Sequence, residues 1–291
     1  MSTIILLLIT GLGLGALYFL VSSGLSLIYG LMGVLNFAHG SFLTLAAFTG
    51  WSIARRMGPD SWGSFAVALL AGAVVGALFA AATELILVRP LYKRHIEQVL
   101  VTVGLALATV ALFEGIWGPD PIFISGPAWM KQVTVVLGAP IPNDRFVSIA
   151  GAVIVLVAIV LFLNKTRYGL IIRAGVENRS MVTALGIDVR KAFTLVFSIG
   201  GAAAGIGGVL ASQYFGYVSP ALGASLLIFA FIVTVIGGLG SLAGAAIASV
   251  LVAVLQQFAN YYLGIGDVIV VLLLAAVLLI RPKGILGKQA A

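Results

Sequence analysis

The sequence lacks cysteine and is poor in charge. It contains no Cys among its 291 residues, and only 9% of them are Asp, Glu, Lys or Arg. Disulfide bonds and thiolate metal sites are therefore excluded. Water-soluble domains are about 25% charged and roughly half apolar, whereas 62% of this chain is hydrophobic. These proportions predict a protein that lies in a lipid bilayer.

Acidic residues are scarcer than basic ones. Nine Asp and Glu stand against 16 Lys and Arg, which gives a formal net charge of +7. A basic chain can bind nucleic acid, but here the basic residues mostly flank apolar runs, a pattern typical of membrane anchoring. We therefore expect membrane lipid, and no nucleic acid, among the partners of this chain.

Long apolar runs occupy most of the sequence. A helix needs about 20 mostly apolar residues to cross the hydrocarbon core. Nine segments approach or exceed that length: 4–29, 36–54, 63–88, 98–117, 145–163, 192–215, 222–240, 243–262 and 266–280. The sequence thus predicts an all-α polytopic membrane protein of about 8–10 transmembrane helices, which forms a single transmembrane domain over residues 1–291.

The distribution of Lys and Arg in the short loops predicts the orientation. Residues 164–191, 89–97 and the C-terminal tail hold six, three and three basic residues, twelve of the 16 in the chain. Cytoplasmic loops carry the excess of Lys and Arg, so these three segments are expected inside and the N-terminus outside. Residues 118–144 then form the largest external loop, with a short β-hairpin or an interfacial helix expected over 129–137.

Two glycine-rich segments interrupt the apolar runs. The first, 30–41, reads GLMGVLNFAHGS, and the second, 237–244, reads GGLGSLAG. Such breaks are tolerated at membrane depth where the backbone lines a cavity or is buried in protein, and one in each half of a chain is typical of transporters built from inverted repeats. We therefore predict internal inverted-repeat character, short interrupted helices and a translocation path beside seven residues: Asn36, His39, Ser41, Gly237, Gly238, Gly240 and Ser241.

The same two segments are also compatible with tight loops at a membrane surface, because the predicted topology puts both on the cytoplasmic side. His39 is likewise open to two interpretations. A lone histidine can carry protons or bind a ligand, and it can also be a hydrogen-bonded structural residue.

No acidic residue is expected near the centre of a span; Glu84 and Glu114 lie within one or two turns of span ends. Carriers driven by protons or sodium usually need an ionisable residue at mid-membrane, so the energy is expected from elsewhere. A phosphate-binding loop, G-x-x-x-x-G-K-[ST], is missing too, and its nearest match at 284–289 has the wrong spacing. We therefore expect no catalytic residue, metal or cofactor in this chain, and ATP with magnesium only in a partner.

The polar segment 164–191, NKTRYGLIIRAGVENRSMVTALGIDVRK, stands between apolar runs. Its part from 175 to 186 predicts a short helix closed by glycine, on which Met181, Val182 and Leu185 form a small apolar stripe. The segment is too short to be a domain. It suits contact with a soluble partner in the cytoplasm.

Several of these stretches resemble one protein family. GLSLIYGLMGVLNFAHGSFLTLAAF (24–48), with its N-F-A-H-G core, is similar to the N-terminal signature of the LivH-like permeases of ABC importers for branched-chain amino acids. Residues 167–210, 236–249 and 281–287 resemble the same family, so the resemblance covers nearly the whole chain. It implies a transport subunit, not an enzyme, in the bacterial inner membrane, which moves branched-chain or other amino acids delivered by a periplasmic binding protein.

Other functions remain open at this point. Urea and short-amide permeases share these motifs and form the main alternative. An ion-coupled secondary carrier, or a membrane subunit without transport activity, would be a different class of protein.

The resemblance also implies partners. They are a second, homologous permease subunit, two cytoplasmic ATPase subunits and a periplasmic substrate-binding protein. In such systems a short cytoplasmic helix docks into a groove of the ATPase, and the corresponding helix here covers about 176–186. The docking contacts expected from the resemblance are Glu177, Asn178, Arg179, Ala184, Leu185 and Gly186.

Overall fold

The computed structural model describes residues 2–58, 60–92 and 94–287, without the side chains of Arg179 and Ser180. Lys93 and Lys288, two basic residues of the predicted cytoplasmic segments, lie outside these ranges. The described part contains ten α-helices: α1 (Ser2–Met32), α2 (His39–Met57), α3 (Trp62–Thr83), α4 (His95–Trp117), α5 (Asp144–Lys165), α6 (Arg167–Ala184), α7 (Val189–Phe215), α8 (Leu222–Gly237), α9 (Leu242–Leu263) and α10 (Gly266–Ile280).

Within the described ranges, six helices are long and apolar enough to cross a membrane, namely α1, α3 with its continuation to Leu91, α4, α5, α7 and α9. Two further apolar helices, α8 and α10, are shorter. Helix α2 has 19 residues and ends in Arg55 and Arg56. Each of the nine apolar segments coincides with one of these nine helices, which confirms the predicted all-α polytopic membrane fold.

Short antiparallel strands occur outside the helices. The strands are β1 (Ile122–Phe123), β2 (Val133–Val136), β3 (Ala139–Pro142) and β4 (Tyr217–Val218). Strands β2 and β3 form a hairpin through Leu137 and Gly138, which both have positive φ as a two-residue turn of type I′ requires. A hairpin is thus present, but it lies a few residues later than the expected 129–137, because Ala128–Lys131 forms a 3-10 turn. The external position of this loop stays a prediction.

Two groups of four helices share one pattern, α1–α4 and α7–α10. Each group begins with a long helix that is followed by a glycine of positive φ, Gly33 or Gly216. A six-residue connection, 33–38 or 216–221, then leads to a shorter helix. The third helix of each group has 22 residues and a serine N-cap, Ser61 or Ser241. This correspondence is the internal repeat that the sequence predicts.

The two groups run in opposite directions, and the third helix of each group packs against the first helix of the other. Helices α1 and α7 are antiparallel, because Gly24 faces Gly200 while the hydroxyl of Tyr214 donates to the carbonyl oxygen of Thr10. Helix α3 packs along α7 of the other group, and α9 packs along α1. The close approaches on α7 are glycine to glycine, at the pairs Gly72–Gly205 and Gly76–Gly201. The core therefore lies around α1 and α7, the most buried of the long helices.

The shorter helices α2 and α8 begin beside each other inside this core. Gly40 and Gly223 lie in backbone contact, and the N–H of Gly223 donates to the hydroxyl of Thr44 over 2.9 Å. His39, the first residue of α2, contacts Gly24 of α1. Gly24 lies eight residues before the end of α1, which is about 12 Å at 1.5 Å per residue. The N-terminus of α2 thus lies inside the helix bundle and is set back from that end of α1.

Candidate functional site

The first predicted path segment forms the N-terminus of α2 and is buried. Asn36 is 2% exposed, and its Oδ1 accepts the N–H of Ala38 over 3.0 Å. Ser41 shares a hydrogen bond of 2.5 Å with the hydroxyl of Thr109 on α4. The sequence places this segment at the cytoplasmic side, whereas the structure places it deep in the helix bundle, because 33–38 turns back along α8 with Phe37 stacked on Phe231.

His39 is enclosed completely, with 0% exposure. Its ring lies against Gly24 and edge-on to Phe42, at 5.4 Å between ring centroids. Within the described residues, neither ring nitrogen of His39 has a hydrogen bond of standard geometry, although the backbone of Val21 lies close to the ring. This tight enclosure against Gly24 indicates that His39 packs the start of α2 against α1.

A cavity of about 220 Å³ opens between α2, α4 and α8, next to Ser41. The hydroxyls of Ser41 and Thr44 lie at its α2 wall. The rest of the lining is apolar: Phe37, Val103, Ala106, Leu107, Val110, Phe113, Ala224, Leu227 and Ile228. Pockets for small ligands are mostly apolar, with a few placed polar groups, so this cavity can take a small molecule with an aliphatic side chain.

The second predicted path segment is the turn between α8 and α9. Gly238 and Gly240 have φ of +102° and +84°, a region that favours glycine. The oxygen of Ser241 accepts the N–H of Gly244 over 3.0 Å and caps α9. The backbone of Gly237 lies against that of Gly244, so this segment has the geometry of a tight helix-to-helix turn.

The structure joins the two predicted path segments at one end only, where the backbone of Gly240 contacts Gly30 of α1. The other end of the first segment is remote from the second. Gly40 lies against Gly223, and Gly237 follows Gly223 by 14 residues of α8, or about 21 Å. The prediction that both segments line one path remains a prediction, and the cavity beside Ser41 belongs to the first segment.

Sequence reasoning missed two threonines of this region. Thr109 bonds to Ser41, and the hydroxyl of Thr102 accepts the N–H of Phe37 over 3.4 Å. They lie seven residues apart on α4, in the stretch 99–113 that is apolar apart from them, and this spacing puts both on one face. That periodicity is the signal that could have identified the face of α4 turned towards α2.

The predicted docking segment has a different helical structure from the one expected. Helix α6 starts at Arg167, and its φ/ψ values break at Asn178 (φ −154°, ψ 93°). The Oδ1 of Asn178 accepts the N–H of Met181 over 3.0 Å, the geometry of an N-cap. The predicted helix over 176–186 is therefore corrected to a shorter helical unit, 178–186. This unit begins at Asn178 and ends at Gly186, which has φ of +77°.

The exposed surface of this unit also differs from the expected stripe. Met181 and Leu185 are 62% and 69% exposed, whereas Val182 is 4% exposed and packs inward. Residues four apart share one face of a helix, so the outward stripe consists of Met181 and Leu185 without Val182. Glu177, Asn178, Ala184 and Gly186 are exposed as well. The side chain of Arg179 lies outside the described part.

Together these features define a class of protein. It is a multi-pass membrane protein of two interlocked inverted halves, with interrupted helices that meet inside the membrane and an exposed helical unit on one face. In the part of the chain that the structure describes, no group of three or more His, Cys, Asp or Glu could hold a metal ion. The chain belongs to the family described as branched-chain amino acid transport system / permease component, which matches residues 7–281. This confirms the family resemblance.

Named relatives match over almost their full length. LivH of Salmonella typhimurium, a high-affinity branched-chain amino acid transport system permease protein, is 28% identical over 96% of this chain and 94% of its own. BraD of Pseudomonas aeruginosa is 29% identical over 97% and 95%. A probable branched-chain amino acid transport permease protein LivH of Methanocaldococcus jannaschii is 30% identical over 92% and 88%. No solved structure matches the chain.

Proposed function

We propose that this chain is the membrane-spanning permease subunit of an ATP-driven importer for branched-chain amino acids, in the inner membrane of a bacterial cell. The observation that carries this proposal is the family match over residues 7–281 together with relatives named for these substrates. The burial of the α2 and α8 N-termini inside the helix bundle supports it, since the N-termini of interrupted helices are typical substrate sites of transporters.

The proposed importer contains a second, homologous permease, two cytoplasmic ATPase subunits that bind ATP with magnesium, and a periplasmic binding protein. The exposed unit 178–186 supports the ATPase contact. Its Met181 and Leu185 expose large apolar side chains within the segment 164–191, whose sequence contains six basic residues. Apolar anchors at i and i+4 are the usual way in which a helix docks in a groove.

The proposed mechanism is mechanical. Closure of the ATPase dimer on ATP moves the unit 178–186 and the α7 helix that follows it. The permease pair then changes from an outward-facing to an inward-facing cavity. Substrate selection is made mainly by the binding protein, so the permease path needs few polar groups. The mostly apolar lining of the cavity beside Ser41 supports this.

Reconstitution tests this function. The chain is placed in liposomes with its cognate permease, ATPases and binding protein, and uptake of radiolabelled leucine is measured with and without ATP. We expect concentrative uptake only when ATP and binding protein are both present. Uptake of urea or acetamide in place of leucine would change the substrate assignment, and leucine accumulation by the chain alone under an ion gradient would show a secondary carrier.

The cavity between α2, α4 and α8 is proposed as part of the path. Replacing Ala106 by Trp fills much of its volume of about 220 Å³. Overpacking costs about 1–3 kcal/mol, so we expect leucine transport to fall about tenfold at unchanged protein level. The matched control is Ala111→Trp, on an exposed part of the same helix outside the cavity lining. Equal leucine transport by both variants would remove this cavity from the path.

A further inference from the structure

A buried carboxylate lies at the cytoplasmic end of α3. Glu84 is 0% exposed and begins the π-helical segment Glu84–Val88. Arg89 donates to both of its carboxylate oxygens over 3.2 Å, Thr194 donates to Oε2 over 2.8 Å, and the hydroxyl of Tyr92 donates to Oε1. A buried charge is tolerated when it is paired and its remaining lone pairs are satisfied, and this cluster meets both conditions.

The four residues of this Glu84 cluster come from two separate parts of the chain. Arg89 and Tyr92 belong to the connection between α3 and α4, whereas Thr194 is on the second turn of α7. Arg89 also donates to the hydroxyl of Thr194 over 2.6 Å, so the bonds close a ring across the two parts. Burial raises the pKa of the Tyr92 hydroxyl, and the bond to Glu84 raises it further, so this hydroxyl stays protonated and donates.

Thr194 follows the predicted docking segment directly. Asp188 caps α7 by accepting the N–H of Arg190 over 2.9 Å, and Thr194 comes one turn after Arg190. Beside the cluster a cavity of about 690 Å³ separates the connection 89–94 from residues 183–193. Within the described residues, this gap is bridged by the Glu84 hydrogen bonds and by the edge-to-face contact of Tyr92 with Phe193, whose ring centroids lie 5.0 Å apart.

The same pair of helices is joined again deeper in the membrane. Gly72 and Gly76 of α3 lie in backbone contact with Gly205 and Gly201 of α7. This seam fixes the middle of the pair, but a helix end can still fray or tilt when its last turn is not held. The Glu84 cluster holds that last turn, and the π-helical segment there is the irregular backbone that aims Glu84 at α7.

We propose that Glu84 is a positioning residue for transport, which makes the cytoplasmic end of α3 follow α7 when the docking segment moves. The proposal rests on the proposed function, since it gives the route from the ATPase contact to the membrane helices. Without the cluster, the docking segment and the start of α7 move while α3 stays behind. ATP hydrolysis then continues without the matching helix movement.

Variants of Thr194 test this without leaving a charge unpaired. Thr194→Val keeps the shape of the side chain but removes its hydroxyl, and Thr194→Ser restores the hydroxyl. In the complete importer, we expect Thr194→Val to transport about tenfold less leucine per ATP hydrolysed, as befits the loss of a hydrogen bond to a charged group. Thr194→Ser should stay within about twofold of the wild type. Glu84→Gln should match Thr194→Val or exceed its loss.

The control is Glu97→Gln. It removes a carboxylate from the exposed pair Arg94–Glu97, whose atoms lie 3.1 Å apart on the same side of the membrane. Exposed pairs contribute little, so its coupling ratio should equal that of the wild type. Spin labels on the cytoplasmic ends of α3 and α7 supply a second readout, namely the change of their distance on ATP binding. We expect this ATP-dependent change of the label distance to be larger in Thr194→Val than in the wild type, and to equal the wild-type change in Glu97→Gln.

The outcomes separate this proposal from the proposed function. If the wild-type importer shows no ATP-dependent uptake, the proposed function fails first. If the wild type is coupled and Thr194→Val keeps its coupling ratio and its label distances, the Glu84 cluster does not transmit movement. If uptake, ATP hydrolysis and protein level all fall in parallel at an unchanged ratio, the cluster serves only the stability of the fold.

Discussion

Alanine at Gly223 is expected to separate α2 from α8 and to destabilise the whole protein. A methyl group there would overlap the carbonyl oxygen of Gly40 and the hydroxyl of Thr44. The first of these atoms is backbone and cannot move aside alone, so the two helix starts must part. Overpacking costs about 1–3 kcal/mol, and the loss of the hydrogen bond from Gly223 to Thr44 adds about 1 kcal/mol. Thermal unfolding in detergent measures the change.

The matched control is Gly104→Ala on α4. A Cβ atom at Gly104 would meet nothing within 4 Å, so this variant changes only helix propensity, which favours alanine by about 1 kcal/mol. We expect Gly104→Ala to unfold at the wild-type temperature or above it, and Gly223→Ala well below it. If the two variants behave alike, the described contact between Gly40 and Gly223 is absent from the folded protein.

Aspartate at Leu185 is expected to abolish ATP-driven uptake while the protein still inserts and folds. Leu185 is 69% exposed in the isolated chain, so a polar residue there leaves the core intact. In the proposed complex the side chain enters an apolar groove. Its loss costs roughly 2 kcal/mol of burial, and the carboxylate adds a desolvation penalty of several kcal/mol. We expect the affinity for the ATPase subunits to fall at least about a hundredfold, as measured by co-purification at graded concentrations.

The control for this variant is Leu137→Asp, which places the same charge on another exposed leucine, 81% exposed at the tip of the β2–β3 hairpin. This tip belongs to the predicted external loop, so ATPase binding should stay unchanged. Normal ATPase binding and normal uptake by Leu185→Asp would rule out the unit 178–186 as the docking site. Weak binding by both variants would indicate misfolding instead.

Hydropathy alone was sufficient to find nine of the ten described helices as apolar segments. Six of them are long and apolar enough to cross a membrane and two more are shorter apolar helices, because a spanning helix must satisfy its backbone internally and cover it with apolar side chains. The glycine breaks suggested an internal repeat but not its register, since the repeat pairs the connection 33–38 with 216–221, and the turn in 237–244 with the connection before α3. A sequence pattern does not show how deeply a segment is buried. The glycine-rich segments 30–41 and 237–244 therefore look alike in sequence, although the first leads into a buried helix start and the second forms a tight turn between two helices.

The details of the candidate sites depend on contacts between distant residues. At the break in α6, the side chain of Asn178 accepts the backbone N–H of Met181 and so acts as an N-cap. The sequence around Asn178 is compatible with a continuous helix, so this cap could not be recognised from the sequence. Val182 faces inward because it packs against residues that are distant in the sequence, and these contacts cannot be read from the local pattern. Glu84 gave only its position near a span end, and its partner Thr194 lies 110 residues further along. No local pattern reports a bond of that separation.

The exchange of helices between the two halves has a consequence for synthesis of the protein. Helix α3 packs along α7, and α1 packs along both α7 and α9, so the early helices lack these neighbours until the later ones have been synthesised and inserted. Such dependence on distant partners delays assembly. A chain truncated after α6 would expose glycine-lined grooves to lipid. We expect quality-control proteases to degrade such an incompletely assembled chain.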